Sequence, residues 1–237
     1  MAAAARRYEQ RMCEHLAAVA PGHTRIMGPA ALAAFVSAAR QRAKDNGVTQ
    51  QETTRAWLEI SLLLGYRFDD DPQYPWVTEA LGQSGNEVDR MCELHRKVVD
   101  YIEQTHGPQD ALYLHRLRRL KALSGRLHEA KDAEHARSVV VWAYGEKCAA
   151  AGIVGLDELM KRARRSAEVR GFAEGAGTLT MALLALFLGH GHADDPQYPW
   201  LAGVLADDPG RAQTNLETLL TTMKHNLLAA SQEHADG

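Results

Sequence analysis

Side chains able to bind a metal or move a proton crowd one short stretch of this chain. His190, His192, Asp194 and Asp195 fall just ahead of Tyr198. Imidazole nitrogens and carboxylates are the donor types of transition-metal sites, so a helical metal-dependent enzyme built on these four residues is one reading. The stretch has a counterpart, however. LGHGHADDPQYPWL (Leu188 to Leu201) parallels LGYRFDDDPQYPWV (Leu64 to Val77), and the seven residues Asp70 to Trp76 are identical to Asp194 to Trp200. Tyr66 and Phe68 stand in the first copy where His190 and His192 stand in the second. A metal site central to the fold would be expected in both copies, so the expectation is no metal. A calcium loop is no better a fit: it needs alternating oxygen ligands around a glycine turn, whereas Asp69, Asp70 and Asp71 are adjacent and point in different directions.

The remaining chemistry is sparse. Glu103 and His106 form a lone Glu-x-x-His at a helix end, while di-iron bundles use two such pairs and two further glutamates. Two basic runs, Arg116, Arg118, Arg119, Lys121 and Arg126, then Lys161, Arg162, Arg164 and Arg165, are balanced by neighbouring acids and read as solvated helix faces. Nucleic-acid binding would call for a sustained basic face with base-reading side chains. The glycine-rich GFAEGAG (Gly171 to Gly177) follows no strand, which argues against a phosphate cradle. The nucleophile-elbow, P-loop, Rossmann and zinc-protease patterns are all missing. The expectation is a protein that is not an enzyme, with no catalytic residues and no cofactor.

What the repeated heptapeptide does suit is a stiff corner. Asp71 and Tyr74 each precede a proline and are pushed off helical dihedrals. Pro75 and Pro199 suit the first position of a following helix, where a missing N–H costs nothing. The aspartates are placed to accept turn amides. Trp76 and Trp200 are expected as buried anchors that lock each corner to the core. The parts of the two corners expected at the surface, and hence expected to bind a partner, are Tyr66, Arg67, Asp69, Tyr74, His190, His192 and Tyr198.

The elements that must position these corners read almost entirely as helix. The chain has 237 residues, 46% of them hydrophobic and 24% charged, with a net charge of −3. That is ordinary globular composition, with no global pull toward nucleic acid or an anionic membrane. Three unevenly spaced cysteines favour a reducing compartment. The N-terminal stretch is broken by charges and is not a secretory leader. The most apolar run, Leu179 to Gly189, is too short to span a bilayer. A cytoplasmic location is expected. Helices are predicted over Ala2 to Ala20, from Pro29 to about Asn46, and from a Thr49–Glu52 capping box through Leu64. Further ones follow the first corner, run from a Ser84–Glu87 capping box to about Thr105, and extend from Gln109 to Ala151 as one long helix or two with a weak point at Gly125. The last are predicted over Leu156 to Arg170, over Thr178 to Leu188, after the second corner, and from Asp208-Pro209 to about Ala230.

The corners repeat at an offset of 124 positions, and Leu62, Leu64, Gly65, Val77 and Leu81 match Leu186, Leu188, Gly189, Leu201 and Leu205 at that spacing. Farther upstream, FVSAARQRAKDNGV (Phe35 to Val48) resembles VVWAYGEKCAAAGI (Val140 to Ile153) at an offset of 105, which implies about 19 extra residues in the second copy. The predicted fold is therefore an all-α bundle in one helical domain, residues 1–237. It is made of two divergent pseudo-repeats, about 29–105 and 135–230, joined by a long central helix.

Gly47, Val48, Leu64, Gly65, Phe68, Asp69, Asp71, Pro72, Pro75 and Trp76 together resemble a pattern of bacterial all-helical proteins. In those proteins Gly-Ile or Gly-Val and a helix precede Leu-Gly-x-x-Phe-Asp-x-[Asp/Asn]-Pro-x-x-Pro-Trp. The second copy matches at Gly152, Ile153, Leu188, Gly189, Asp195, Pro196, Pro199 and Trp200 but departs at His192 and Ala193. The resemblance covers about a third of the chain and associates it with type VI secretion and toxin gene neighbourhoods. It implies a non-catalytic, protein-binding accessory, either an effector adaptor or chaperone or an immunity protein. The implied partner is another protein, such as a toxin or secreted effector, rather than nucleic acid or membrane.

Overall fold

The computed structural model describes residues 2–123, 129–205, 218 and 221. Their regular structure is all helical, with no strand among the described residues. In chain order the helices are α1 (Ala2–Val19), α2 (Pro21–Asp45), α3 (Gln51–Leu64), α4 (Pro75–Leu81), α5 (Glu87–His106), α6 (Ala111–Leu123), α7 (Ala133–Ala143), α8 (Gly145–Val169), α9 (Glu174–Leu188) and α10 (Pro199–Val204). The all-α expectation holds. The single long central helix does not, because the described part of residues 109–151 holds α6, α7 and the start of α8, with α7 starting afresh at an Asp132 cap whose carboxylate accepts the His135 amide at 2.8 Å. The weak point at Gly125 and the helix predicted from Asp208-Pro209 lie outside the described residues.

The chain forms two compact units interleaved in sequence. The first comprises Met1–Asp71, Trp76–Val98 and Leu188–Ala202; the second takes Pro72–Pro75, Val99–Phe187 and the described residues from Gly203 onward. In the first unit α1, α2 and α3 pack through Tyr8, Met12, Leu16, Met27, Leu32, Phe35, Val36, Ala39 and Leu58, all buried. Helical spacing supplies this face: Leu32, Phe35, Val36 and Ala39 recur every three or four residues along α2. Trp57, fully buried, packs its indole against Phe68 with ring centres 4.7 Å apart. In the second unit α8 buries Leu156, Leu159, Met160, Ala163 and Ala167, and α9 buries almost every residue from Ala176 to Leu186.

The offset of 124 extends well beyond the corners. α2 begins at residue 21 and ends at 45, and α8 begins at 145 and ends at 169. Both are broken inside, at Gly28 (φ 77°, ψ 163°) and Gly152 (φ 69°, ψ 176°). Each is followed by a glycine turn in the left-handed region, Gly47 (φ 70°) and Gly171 (φ 67°). The amides after these turns reach back alike, Val48 to the Ala43 carbonyl at 2.8 Å and Phe172 to the Ala167 carbonyl at 3.0 Å. The upstream alignment at 105 is therefore replaced by 124, with no 19-residue insertion. Phe35 corresponds to Leu159 and Val36 to Met160, apolar pairs that keep burial while changing identity.

Two expected capping boxes also form differently. Glu87, the first residue of α5, accepts the Thr49 amide at 3.0 Å, the Gln50 amide at 2.9 Å and the Thr49 hydroxyl at 3.0 Å, together with the Thr53 hydroxyl. It thus caps α3 from a distant part of the chain, whereas Thr49 was predicted to cap it with Glu52. The start of α5 is satisfied by Asn86, whose side-chain oxygen accepts the Asp89 amide at 3.0 Å, in place of Ser84.

Candidate functional site

The first corner starts where α3 ends. Gly65 sits at φ 99°, turning the chain out of the helix, and Phe68–Asp70 form one 3-10 turn. Asp71 is extended (φ −78°, ψ 123°), as the following proline requires. Pro75 opens α4, and Pro199 opens α10 in the same way. At the second corner Gly189 turns the chain at φ 91°.

Within the first unit the two corners clasp each other reciprocally. The Tyr66 amide donates to Asp195 Oδ2 at 3.1 Å, and the His190 amide donates to Asp71 Oδ2 at 2.8 Å. The two glycines meet face to face: a Cβ on Gly65 would lie 3.0 Å from the Leu188 carbonyl oxygen, and one on Gly189 2.9 Å from that of Leu64. Gln197 donates to the Ser61 carbonyl at 3.2 Å and to Asp195 Oδ2 at 3.1 Å. In the second unit Gln73 donates to the Ala185 carbonyl at 2.8 Å. Residues 61 and 185, 65 and 189, 66 and 190, 71 and 195, and 73 and 197 are each 124 apart. The Tyr66–Asp195 and His190–Asp71 bonds are thus a matched pair, as are the Gln73–Ala185 and Gln197–Ser61 bonds.

This clasp accounts for most of the polar side chains singled out in the sequence. Asp71, Gln73, His192, Asp195 and Gln197 are all buried. Asp195 also accepts the Gln197 amide at 2.9 Å, the Asx-type turn expected of such an aspartate. Burial pushes its carboxyl above the usual carboxylate range, against the lowering effect of the Gln197 and Tyr66 amides. His192 turns Nδ1 to the Gly189 carbonyl at 2.9 Å, and His190 faces Asp70 and Asp71. His190, His192 and Asp195 therefore face separate partners, and Asp194 is exposed. No group of three His, Cys, Asp or Glu among the described residues is arranged to hold a metal ion.

The expectation that the corners present their side chains to solvent is corrected at Tyr74 and His192. Tyr74 and His192 are buried, and Tyr66, Arg67, Asp69, His190 and Tyr198 are only partly exposed. Asp69 is gripped by both arms of Arg42, at 2.7 and 2.6 Å, and by Asn46 Nδ2 at 2.9 Å. Arg67 donates to Asp70 at 2.6 Å. Tyr74 packs edge-on against Tyr101 at 5.2 Å, within the second unit. Tyr198 lies edge-on to His23 at 6.2 Å, and burial drives its hydroxyl far above the usual tyrosine range. Trp76 and Trp200, expected as the buried anchors, are half-buried, while Val77 and Leu201 beside them are fully covered. Sequence reasoning missed Gln73, Gln197, Arg42 and Asn46. For the two glutamines a signal was present, since they lie inside the identical heptapeptide.

The other candidate features resolve locally. Arg116, in the run read as solvated, is buried in the second unit. It donates to the Thr105 carbonyl at 3.2 Å and lies over the rings of Tyr113 and Tyr144 at 5.3 and 5.6 Å. Lys161 and Arg162 pair with Glu158, and Arg164 pairs with Glu168 and Glu174. Arg126 and the side chain of Lys121 lie outside the described residues. His106 contacts Asp110 at 3.1 Å and stacks on Tyr113, and burial lowers its pKa. A Cβ at Gly175 would lie 2.2 Å from the Ala130 carbonyl oxygen, so that glycine permits close backbone packing. Among the described residues no helix is long and apolar enough to cross a membrane. No protein-family model matches the sequence, and neither a curated protein nor a solved structure matches it at a significant level.

Proposed function

We propose that this chain acts by binding another protein, without catalysis, as an accessory of a bacterial toxin or secretion system: an effector adaptor or chaperone, or an immunity protein. The observation that carries the reading is the internal commitment of the corners. Asp71, Asp195, Gln73, Gln197 and His192 are buried and bonded to the chain itself, so the polar groups best suited to chemistry are occupied in holding the fold. What the second unit offers to solvent is different in kind. Ile153 and Val154, adjacent and directly after the Gly152 break, are 77% and 83% exposed. Single exposed apolar side chains are common, but two neighbouring β-branched ones at this exposure make a contact point that a protein partner would cover. Full burial of each would contribute about 1.5–3 kcal/mol.

The toxin or secretion setting rests on the sequence resemblance. A cytoplasmic, reducing location fits three cysteines that remain unpaired. The test is affinity purification of the tagged chain from its own organism, alongside the double variant Ile153→Asp, Val154→Asp. Both positions are exposed, so the variant is expected to keep its helical circular dichroism. The expected result is one protein co-purifying in stoichiometric amount with the wild type and lost, at least tenfold, from the variant, since about 1.4 kcal/mol is a factor of ten. Equal recovery with both forms would move the contact elsewhere, and the lack of any stoichiometric partner would remove the reading.

A further inference from the structure

His190 stands where the first corner has Tyr66, and His192 where it has Phe68, so the clasp carries imidazoles on one side only. The His190 side chain is 10% exposed. Nε2 lies 3.2 Å from Asp70 Oδ1, and Nδ1 lies 3.3 Å from Asp71 Oδ2. Neither ring nitrogen is aligned for a hydrogen bond, so the attraction is ionic and full only while the ring carries a proton. The surrounding charges come from three elements. On the first corner Arg67 donates to Asp70 at 2.6 Å, and its stem covers Gly191, where a Cβ would lie 2.8 Å from Arg67 Cδ. From α2, Arg42 reaches Asp70 at 3.4 Å while its main grip is on Asp69. On the second corner Asp194 is exposed, and Asp195 is engaged by Tyr66 and Gln197.

We propose that His190 is a proton-operated latch: as an imidazolium it fastens the Gly189–Asp194 turn to the Arg67–Asp71 turn, and on losing its proton it lets that turn loosen while the backbone pairings to Asp71 and Asp195 persist. The direction follows from the neighbours. Burial opposes the charged ring, but the two aspartates outweigh it and hold its pKa above the usual histidine value. A raised folded-state pKa means the contribution is complete below the unfolded value. It is lost as pH climbs through the folded value, so the latch opens above the ordinary histidine pKa. Asp70 is correspondingly held well below the usual carboxylate range: burial raises it, but His190 and Arg67 lower it more.

The experiment is a nuclear magnetic resonance titration of the full chain between about pH 6 and about pH 9. His190→Gln assigns the ring signals, and amide exchange across Gly189–Asp194 is corrected for its intrinsic pH dependence. The wild-type ring is expected to titrate above the ordinary histidine value, and Asp70→Asn, at an exposed position, is expected to lower that midpoint. Corrected exchange in the turn should rise several-fold through the midpoint, whereas His190→Gln should exchange at the faster level at every pH. A midpoint at or below the ordinary value overturns the latch. So does turn protection that ignores pH in the wild type, or a His190→Gln profile that follows it.

Discussion

The residues that decide this architecture are those that leave no room for a side chain. At Gly65 and Gly189 two demands coincide: φ values of 99° and 91°, and a carbonyl oxygen about 3 Å from where a Cβ would sit. Backbone cannot swing aside as a side-chain tip can, so Gly65→Ala and Gly189→Ala should each cost about 2–4 kcal/mol, combining left-handed strain with the clash. Gly28 shares the φ (77°) but has nothing within 4 Å of its would-be Cβ. Gly28→Ala should therefore cost only about 1 kcal/mol. Urea unfolding of the three variants checks the ordering, and similar losses at all three positions would contradict the face-to-face packing. These glycines also show what the sequence left unread. Gly28 and Gly152, Gly47 and Gly171, and Gly65 and Gly189 are all 124 apart. In sequence the spacing is legible only at the third pair, because the intervening apolar partners keep their burial but not their identity. The identical heptapeptide made the corners legible, but not what they do: a sequence shows that Gln73 and Gln197 recur, not that each amide meets a carbonyl more than a hundred residues away.

At the scale of elements, helix ends illustrate the same limit. Local patterns located nearly all the described helices because 3.6-residue periodicity is a property of neighbours. Of the two alternatives from Gln109, one long helix or two, the single helix fails: apolar spacing continues across Asp132, but its side chain caps a new helix. The α3 cap failed for a different reason: the Glu87 carboxylate arrives from α5 and takes the amides that a local pair would have shared. Such a cap sets the position of α5 against α3 as well as completing the helix. Glu87→Ala should lower stability by about 1 kcal/mol, the modest figure suited to a carboxylate open to solvent, while Glu52→Ala should do far less. The Thr53, Gln50 and Thr49 donors outweigh desolvation and lower the Glu87 pKa. The contribution is then present above the ordinary glutamate value and lost as pH falls through the lower folded one. The gap between wild type and Glu87→Gln in chemical denaturation should accordingly close in acid. A gap that persists there would mean that packing rather than the cap is responsible.

At the scale of the whole molecule, the interleaving of sequence makes each unit depend on residues from far along the chain. The first unit includes Leu188–Ala202, and the second includes Pro72–Pro75. Ending the chain after Phe187 would take from the first unit the Asp195 carboxylate that receives the Tyr66 amide, the His190 amide that meets Asp71, and the Gln197 amide on the Ser61 carbonyl. The Ser61 carbonyl would keep the Gly65 amide at 3.0 Å, so each bond lost across the clasp would cost its net contribution, about 0.5–1.5 kcal/mol. The bare Gly65 face would lose its packing as well. Summed against a typical total of about 5–15 kcal/mol, these losses suffice to unravel the α3–corner junction while leaving the α1–α2–α3 core contacts intact. Hydrogen exchange separates the two regions: in the 1–187 chain, amides of residues 61–71 should lose protection, while those of α2 around Phe35 and Ala39, fully buried and remote from the clasp in sequence, should retain more of theirs. Adding a peptide spanning 188–205 should restore protection at Tyr66 in a concentration-dependent way. Full protection of residues 61–71 in the truncated chain would show that the second corner is not what holds the first.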